Sequence, residues 1–153
     1  MLETPKKFTL LAGSAEGPTR LNAFDHALLA AGIGNVNLLR VSSILPPNAT
    51  EASELTIVPG QLMPTAYGTI TSETEGEWIA AGVAIGVGAW DEYGVIMEFS
   101  GRCRKEQAEE HVAEMARVAF EHRGREIKRI LVKASEHRVE KIGCAFAAVA
   151  LWY

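Results

Sequence analysis

Apolar residues come along this chain in short runs separated by glycine, proline and polar clusters. Phe8 to Ala12 is an apolar run closed by Gly13 and reads as a strand. Leu21, Phe24, Ala27, Leu28 and Ala31 recur at helical spacing. This predicts an amphipathic helix over 20–31, with Thr19 as N-cap and Gly32 and Gly34 as its stop. Asn35 to Ser43 reads as a strand that runs into Pro46-Pro47, where a sheet ladder must end. Pro46, Pro47, Pro59, Gly60 and Pro64 predict a long loop over 45–65, a length that in a compact domain points to function. Tyr67–Ser72, Trp78–Ala89 and Gly94–Phe99 read as three more strands, with glycines 82, 86 and 88 marking bulges or close backbone approach. Lys105–His122 carries the stripe Ala108, Val112, Met115 and Ala119 and reads as a second helix, stopped at Gly124. Ile127–Ala134 and Gly143–Trp152 close the chain as strands.

The order is strand, helix, several strands, helix, two strands. That is not regular β-α-β alternation, so it disfavours a Rossmann-type sheet and predicts a layered α+β domain with helices covering sheet faces. At 153 residues the chain suits a single domain, 1–153, with a core that needs no staples.

Composition narrows the function classes. Hydrophobic residues are 48% and charged residues 22%, with a net charge of −4. No Lys/Arg-dominated block offers an electrostatic footprint, so no nucleic acid is expected as partner. No uncharged apolar run reaches membrane-spanning length, and Met1–Lys7 is polar rather than signal-like, so a cytoplasmic protein without membrane contact is expected. Cys103 and Cys144 form no Cys-x-x-Cys, and His26, His111, His122 and His137 are scattered, so no metal site is expected. Gly32-Ile33-Gly34-Asn35-Val36-Asn37 starts like a dinucleotide fingerprint but ends in Asn and runs from helix into strand, the reverse of what phosphate binding requires. Asp91-Glu92 reads as a solvated turn.

The informative stretch is Asn37-Leu38-Leu39-Arg40-Val41-Ser42-Ser43-Ile44-Leu45-Pro46-Pro47. Its plain reading is a strand ending in a Ser/Pro turn. The serine pair also suits internal serinolysis. The Ser43 hydroxyl attacks the Ser42 carbonyl and the peptide becomes an ester. Elimination then frees the Ser42 carboxylate and leaves dehydroalanine, which hydrolyses to a ketone. Such an attack needs a constrained peptide and a donor for the developing oxyanion, and an upstream Asn could supply that donor. Glu98, a lone carboxylate in the apolar run Val95–Phe99, is either solvent-facing or buried with a raised pKa, ready to hand over a proton.

Val41-Ser42-Ser43-Ile44-Leu45-Pro46-Pro47, preceded by Gly34-Asn35-Val36-Asn37-Leu38, resembles the pyruvoyl-dependent arginine decarboxylases. The resemblance extends over nearly the whole chain, through Pro59-Gly60, the Ala80–Gly88 run, Glu98 and the Gly143-Cys144 ending. It implies a four-layer α-β-β-α sandwich in trimers, or a dimer of trimers, with active sites between neighbouring subunits. It implies cleavage between Ser42 and Ser43 into a 1–42 β chain and a 43–153 α chain. It further implies a covalent pyruvoyl group derived from Ser43 that forms a Schiff base with L-arginine and yields agmatine and CO₂. By the same resemblance Asn37 assists processing, Glu98 is the general acid, Asp25 holds the substrate guanidinium, and Leu28 and Ile44 line its aliphatic stem. Two alternatives stand beside it: a decarboxylase of another amino acid, and an unprocessed binding or structural relative.

Overall fold

The computed structural model describes residues 2–153. Its last strand explains its architecture. The strand over Gly143–Trp152 is buried along its whole length, so it must be covered on both faces. Ala145, Ala147, Val149 and Leu151 point into a core between two sheets, while Cys144, Phe146, Ala148, Ala150 and Trp152 point towards a helix. In chain order the elements are β1 (Lys7–Glu16), α1 (Arg20–Ala31), β2 (Asn37–Arg40), β3 (Ile44–Leu45), β4 (Thr50–Glu51), β5 (Leu62–Ser72), β6 (Trp78–Val87), β7 (Gly94–Gly101), α2 (Lys105–His122), β8 (Arg129–Arg138) and β9 (Gly143–Trp152). The first sheet has the order β2-β5-β9-β1-β4 and the second β3-β7-β6-β8. Helix α1 covers β1 and β9, and α2 covers β6, β7 and β8. The result is the expected α+β, four-layer α-β-β-α sandwich.

Local chemistry sets the helix ends. Thr19 is extended and its hydroxyl accepts from the Asn22 N–H at 3.1 Å. Gly32 closes α1 in the left-handed region at φ 84°, where a side chain would be strained. The predicted α1 stripe shifts by a few positions: Ala23, Ala27, Leu28 and Ala31 are buried, Phe24 is half-buried, and Leu21 is exposed. In α2, Ala116 and Phe120 join Ala108, Val112 and Ala119 in the buried face, and Met115 lies at its margin. Gly86 makes room for Phe120, since a Cβ there would lie 2.7 Å from its ring. Truncating Phe120 to Ala would therefore leave a void worth about 3–5 kcal/mol.

Several boundaries differ from the sequence reading, among them the strand expected over 127–134, which runs Arg129–Arg138. β1 runs on past Gly13 to Glu16. The strand expected over 35–43 ends at Arg40, and the chain re-enters a sheet only at Ile44. The expected 45–65 loop contains β4 and the start of β5, with Pro64 inside the strand. Pro64 is tolerated because Asn37 and Val41 donate to Gln61 and Thr65, which puts odd-numbered β5 residues towards β2. The missing Pro64 N–H points the other way, just before pairing with β9 begins at Thr65.

β2 and β3 are edge strands on the same long side of the sandwich, one in each sheet. The opposite side is drawn together by side chains. The Ser14 hydroxyl donates to the Glu136 carbonyl at 3.1 Å, and the Ser135 hydroxyl donates to the Phe146 carbonyl at 2.8 Å.

Candidate active site

Between β2 and β3 the chain crosses from one sheet to the other, and the crossing consists of Val41, Ser42 and Ser43. Its flanks are fixed. The Val41 N–H donates to the Thr65 carbonyl of the first sheet at 3.1 Å, and the Ser43 carbonyl accepts from the Ile96 N–H of the second at 2.7 Å. Between those anchors lies the Ser42–Ser43 peptide. Among the described residues neither the Ser42 carbonyl nor the Ser43 N–H has a hydrogen-bond partner. The peptide is thus held at both ends and makes no hydrogen bond to the described residues in the middle, with Ser42 exposed and Ser43 half-buried.

The crossing borders a cavity of about 250 Å³ lined by Ser42, Ser43 and Ile44 together with Leu39, Pro64 and Tyr153. Ile44 is exposed at its rim. Glu98 lies on β7, two residues beyond the Ile96 that binds Ser43. It pairs across the sheet with Val83, whose side chain is in the inter-sheet core, so the Glu98 carboxyl also points between the sheets. It is half-buried, and no donor reaches it among the described residues. Burial raises its pKa, and the Arg40 charge opposes that rise without cancelling it. Of the two sequence readings of Glu98, the structure shows the half-buried one with a raised pKa.

Other predicted residues lie elsewhere in the single chain. Asn37 is at the far end of β2 from the serine pair, roughly 13 Å of strand away from Val41. Its Nδ2 donates to the Gly60 carbonyl at 3.0 Å and so fixes the Pro59-Gly60 turn. Asp25 is exposed on α1, and Leu28 is buried between α1 and the first sheet. Neither lines the Ser43 cavity.

Two nearby groups were not singled out from the sequence. The Arg40 guanidinium lies 4.4 Å above the Tyr67 ring and donates to the Tyr67 carbonyl at 2.9 Å. Its position three residues before Ser43 was the only available signal. Tyr153 reaches the cavity from the end of β9, and no spacing rule connects it to residue 43. Asp91 is exposed as expected, but Glu92 receives Arg125 at 2.8 Å and is part of an ion pair rather than freely solvated. Among the described residues no group of three His, Cys, Asp or Glu side chains is placed to hold a metal, and no helix is long and apolar enough to cross a membrane.

A serine pair at the crossing of a two-sheet α+β sandwich, with a half-buried carboxyl of raised pKa two residues beyond the Ile96 that binds Ser43, is a layout that suits a decarboxylase. The family model "Pyruvoyl-dependent arginine decarboxylase" matches residues 7–153, and the chain belongs to that family. It is similar to proteins named pyruvoyl-dependent arginine decarboxylase in three archaea. Identity is 53% to that of Methanocaldococcus jannaschii, covering 97% of this chain and 91% of the relative. It is 49% to that of Methanococcus maripaludis, covering 99% and 93%. It is 45% to that of Pyrococcus furiosus, covering 97% and 96%.

Proposed function

We propose that this protein decarboxylates L-arginine to agmatine and CO₂ with a pyruvoyl group made from its own Ser43. The observation that carries the reading is the serine pair at the crossing, anchored on both sides and unpaired between. Converting Ser43 removes its nitrogen, and that nitrogen donates no hydrogen bond among the described residues, so the site accommodates the change without breaking the sheets.

The Ser43 Oγ attacks the Ser42 carbonyl carbon, the C–N bond breaks, and the hydroxyl proton ends on the new amine. Loss of the Ser43 Cα proton and cleavage of its Cβ–O bond release residues 1–42 with a free Ser42 carboxylate. Water then enters and ammonia leaves. The resulting ketone supplies an electron-withdrawing group that captures an amine and accommodates the electron pair left by CO₂.

The chain's own residues do the rest. Glu98, whose pKa burial raises, delivers a proton to the substrate carbon after CO₂ has left. Ile44 offers apolar surface at the cavity rim. Asp25 suits a guanidinium through paired hydrogen bonds. Asp25 and Leu28 are remote from Ser43 within one chain, which supports a site completed by α1 of a neighbouring copy, in a trimer or a dimer of trimers. In this reading Asn37 assists processing by fixing the Pro59-Gly60 turn beside β2.

Denaturing intact mass tests the reading. Cleavage turns the 16.6 kDa chain into pieces of about 4.6 and 12 kDa, the larger without a free N-terminal amine. A single 16.6 kDa species, or no CO₂ from arginine, would overturn it.

A further inference from the structure

The cavity beside the serine pair has mostly apolar walls. Leu2, Pro5, Leu39, Val41, Pro64 and Leu151 supply them. Apart from Ser42 and Ser43, only two lining side chains carry a proton they can give up or share, Glu3 and Tyr153. They are not equivalent. Glu3 is exposed and lies outside any strand or helix. Tyr153 directly follows β9, the fully buried strand at the centre of the first sheet, and the Trp152 carbonyl is bound by the Lys6 N–H at 2.8 Å. The Tyr153 backbone is therefore placed by the core of the fold. Its side chain is 45% exposed at the edge of the cavity, and its hydroxyl has no hydrogen-bond partner among the described residues.

The unsatisfied group in that cavity wall is the Ser42–Ser43 peptide. Attack on the Ser42 carbonyl puts negative charge on its oxygen, and a donor there lowers the barrier only if it is already in place. The described residues provide no backbone donor to this oxygen. Asn37, the donor expected from the sequence, lies at the other end of β2 and gives one amide N–H to the Gly60 carbonyl.

We propose that Tyr153 is a further catalytic residue of self-processing, its phenol hydroxyl donating to the Ser42 carbonyl oxygen as the Ser43 hydroxyl attacks. The role rests on the reading of Ser42–Ser43 as the cleaved bond. It ends with cleavage, because the donor acts on the scissile carbonyl and not on arginine.

The test follows the full chain from synthesis. Protein made in a short cell-free pulse is sampled over time, and the 16.6 kDa precursor and its two products are quantified by denaturing mass spectrometry. Tyr153→Phe keeps the ring and removes the hydroxyl. It is expected to slow cleavage by about 10²–10³-fold, the usual loss of one oxyanion donor. Far-UV circular dichroism and thermal melting of the uncleaved Tyr153→Phe precursor, compared with Ser43→Ala, exclude simple misfolding. Wild-type cleavage matched by Tyr153→Phe overturns the proposal and leaves the cleavage reading intact. So does loss of cleavage in Glu3→Gln alone, which would move the role to Glu3. A wild-type chain that never cleaves removes both.

Discussion

Gly68 in the first sheet lies directly against Glu98 in the second. A Cβ placed on Gly68 would stand 3.3 Å from the Glu98 Cβ and 3.2 Å from the Phe99 carbonyl oxygen. The bare backbone at position 68 therefore sets how closely β5 approaches the strand that carries the carboxyl. Gly68→Ala requires the two strands to part by a few tenths of an ångström, and Gly68→Val by more. Overpacking of this kind costs about 1–3 kcal/mol. Urea unfolding should show that loss, together with slower arginine turnover in chains that have cleaved. A Gly68→Val protein with wild-type stability would contradict this packing.

Glu98 should trade stability for activity. Its pKa in the folded protein is raised by burial, so its contribution to stability is fully present below the unfolded carboxylate pKa and lost as pH rises through the folded value. Glu98→Gln keeps the shape and removes the ionisation. It should unfold at a higher temperature than wild type at pH 8, with little difference near pH 4. Its turnover should fall by about 10²–10⁴-fold. Arg40 works against the raised pKa, so Arg40→Gln should move the alkaline limb of the rate profile to higher pH. A limb moving to lower pH would rule out this pairing.

Glu16 should behave in the opposite sense. Burial alone would raise its pKa, but the N–H groups of Lys141, Glu140 and Ile142 and the His137 ring together hold it below the usual carboxylate range. Its stabilising effect is present above the unfolded carboxylate pKa and fades as pH falls through the lower, folded one. Glu16→Ala leaves the three N–H groups of the β8–β9 turn without their acceptor. At neutral pH it should cost about 1–3 kcal/mol, shrinking as the solution is acidified. Thermal melts from pH 3 to 8 would reveal a constant difference if the carboxylate were idle.

Cleavage should not separate the two pieces. Residues 1–42 carry β1, paired with β9 over ten positions from Lys7↔Trp152 to Glu16↔Gly143, and β2, paired with β5. Neither pairing includes the Ser42–Ser43 bond. Native mass spectrometry should find both pieces in one particle, parting only in denaturant. Ser43→Ala should stay at 16.6 kDa and produce no agmatine.

The parts of the fold legible in the sequence are those where local chemistry and tertiary environment agree. Thr19, Gly32 and the alanine-rich stripes placed α1 and α2 because capping and periodicity act within a few residues. The α+β class was readable from the order of these elements, whereas the four layers were implied by the family resemblance. Gly13 misled because it reads as a strand breaker. In the folded chain it admits the α1 backbone, with a Cβ there standing 2.6 Å from the Ala31 nitrogen. Pro64 misled because the direction of its missing N–H depends on which strand lies on which side. Tyr153 reaches the serine pair, and Tyr67 reaches Arg40, only through sheet order, which no spacing in the chain records. Glu98 could be read as costly if buried, but its neighbour Gly68 is thirty positions away.

Leu2, Glu3, Pro5, Leu151 and Tyr153 border the same cavity as Ser42 and Ser43. The two ends of the described chain and its proposed break point therefore share one neighbourhood on the surface. A circular permutant can exploit this by joining the region of Tyr153 to that of Leu2 with a short linker and opening the chain between Ser42 and Ser43. Every strand pairing of the two sheets would be retained, while the order of synthesis of the two halves would be exchanged. Such a molecule begins at Ser43 with no peptide left to attack, so it separates the sandwich as a scaffold from the chemistry that cuts it.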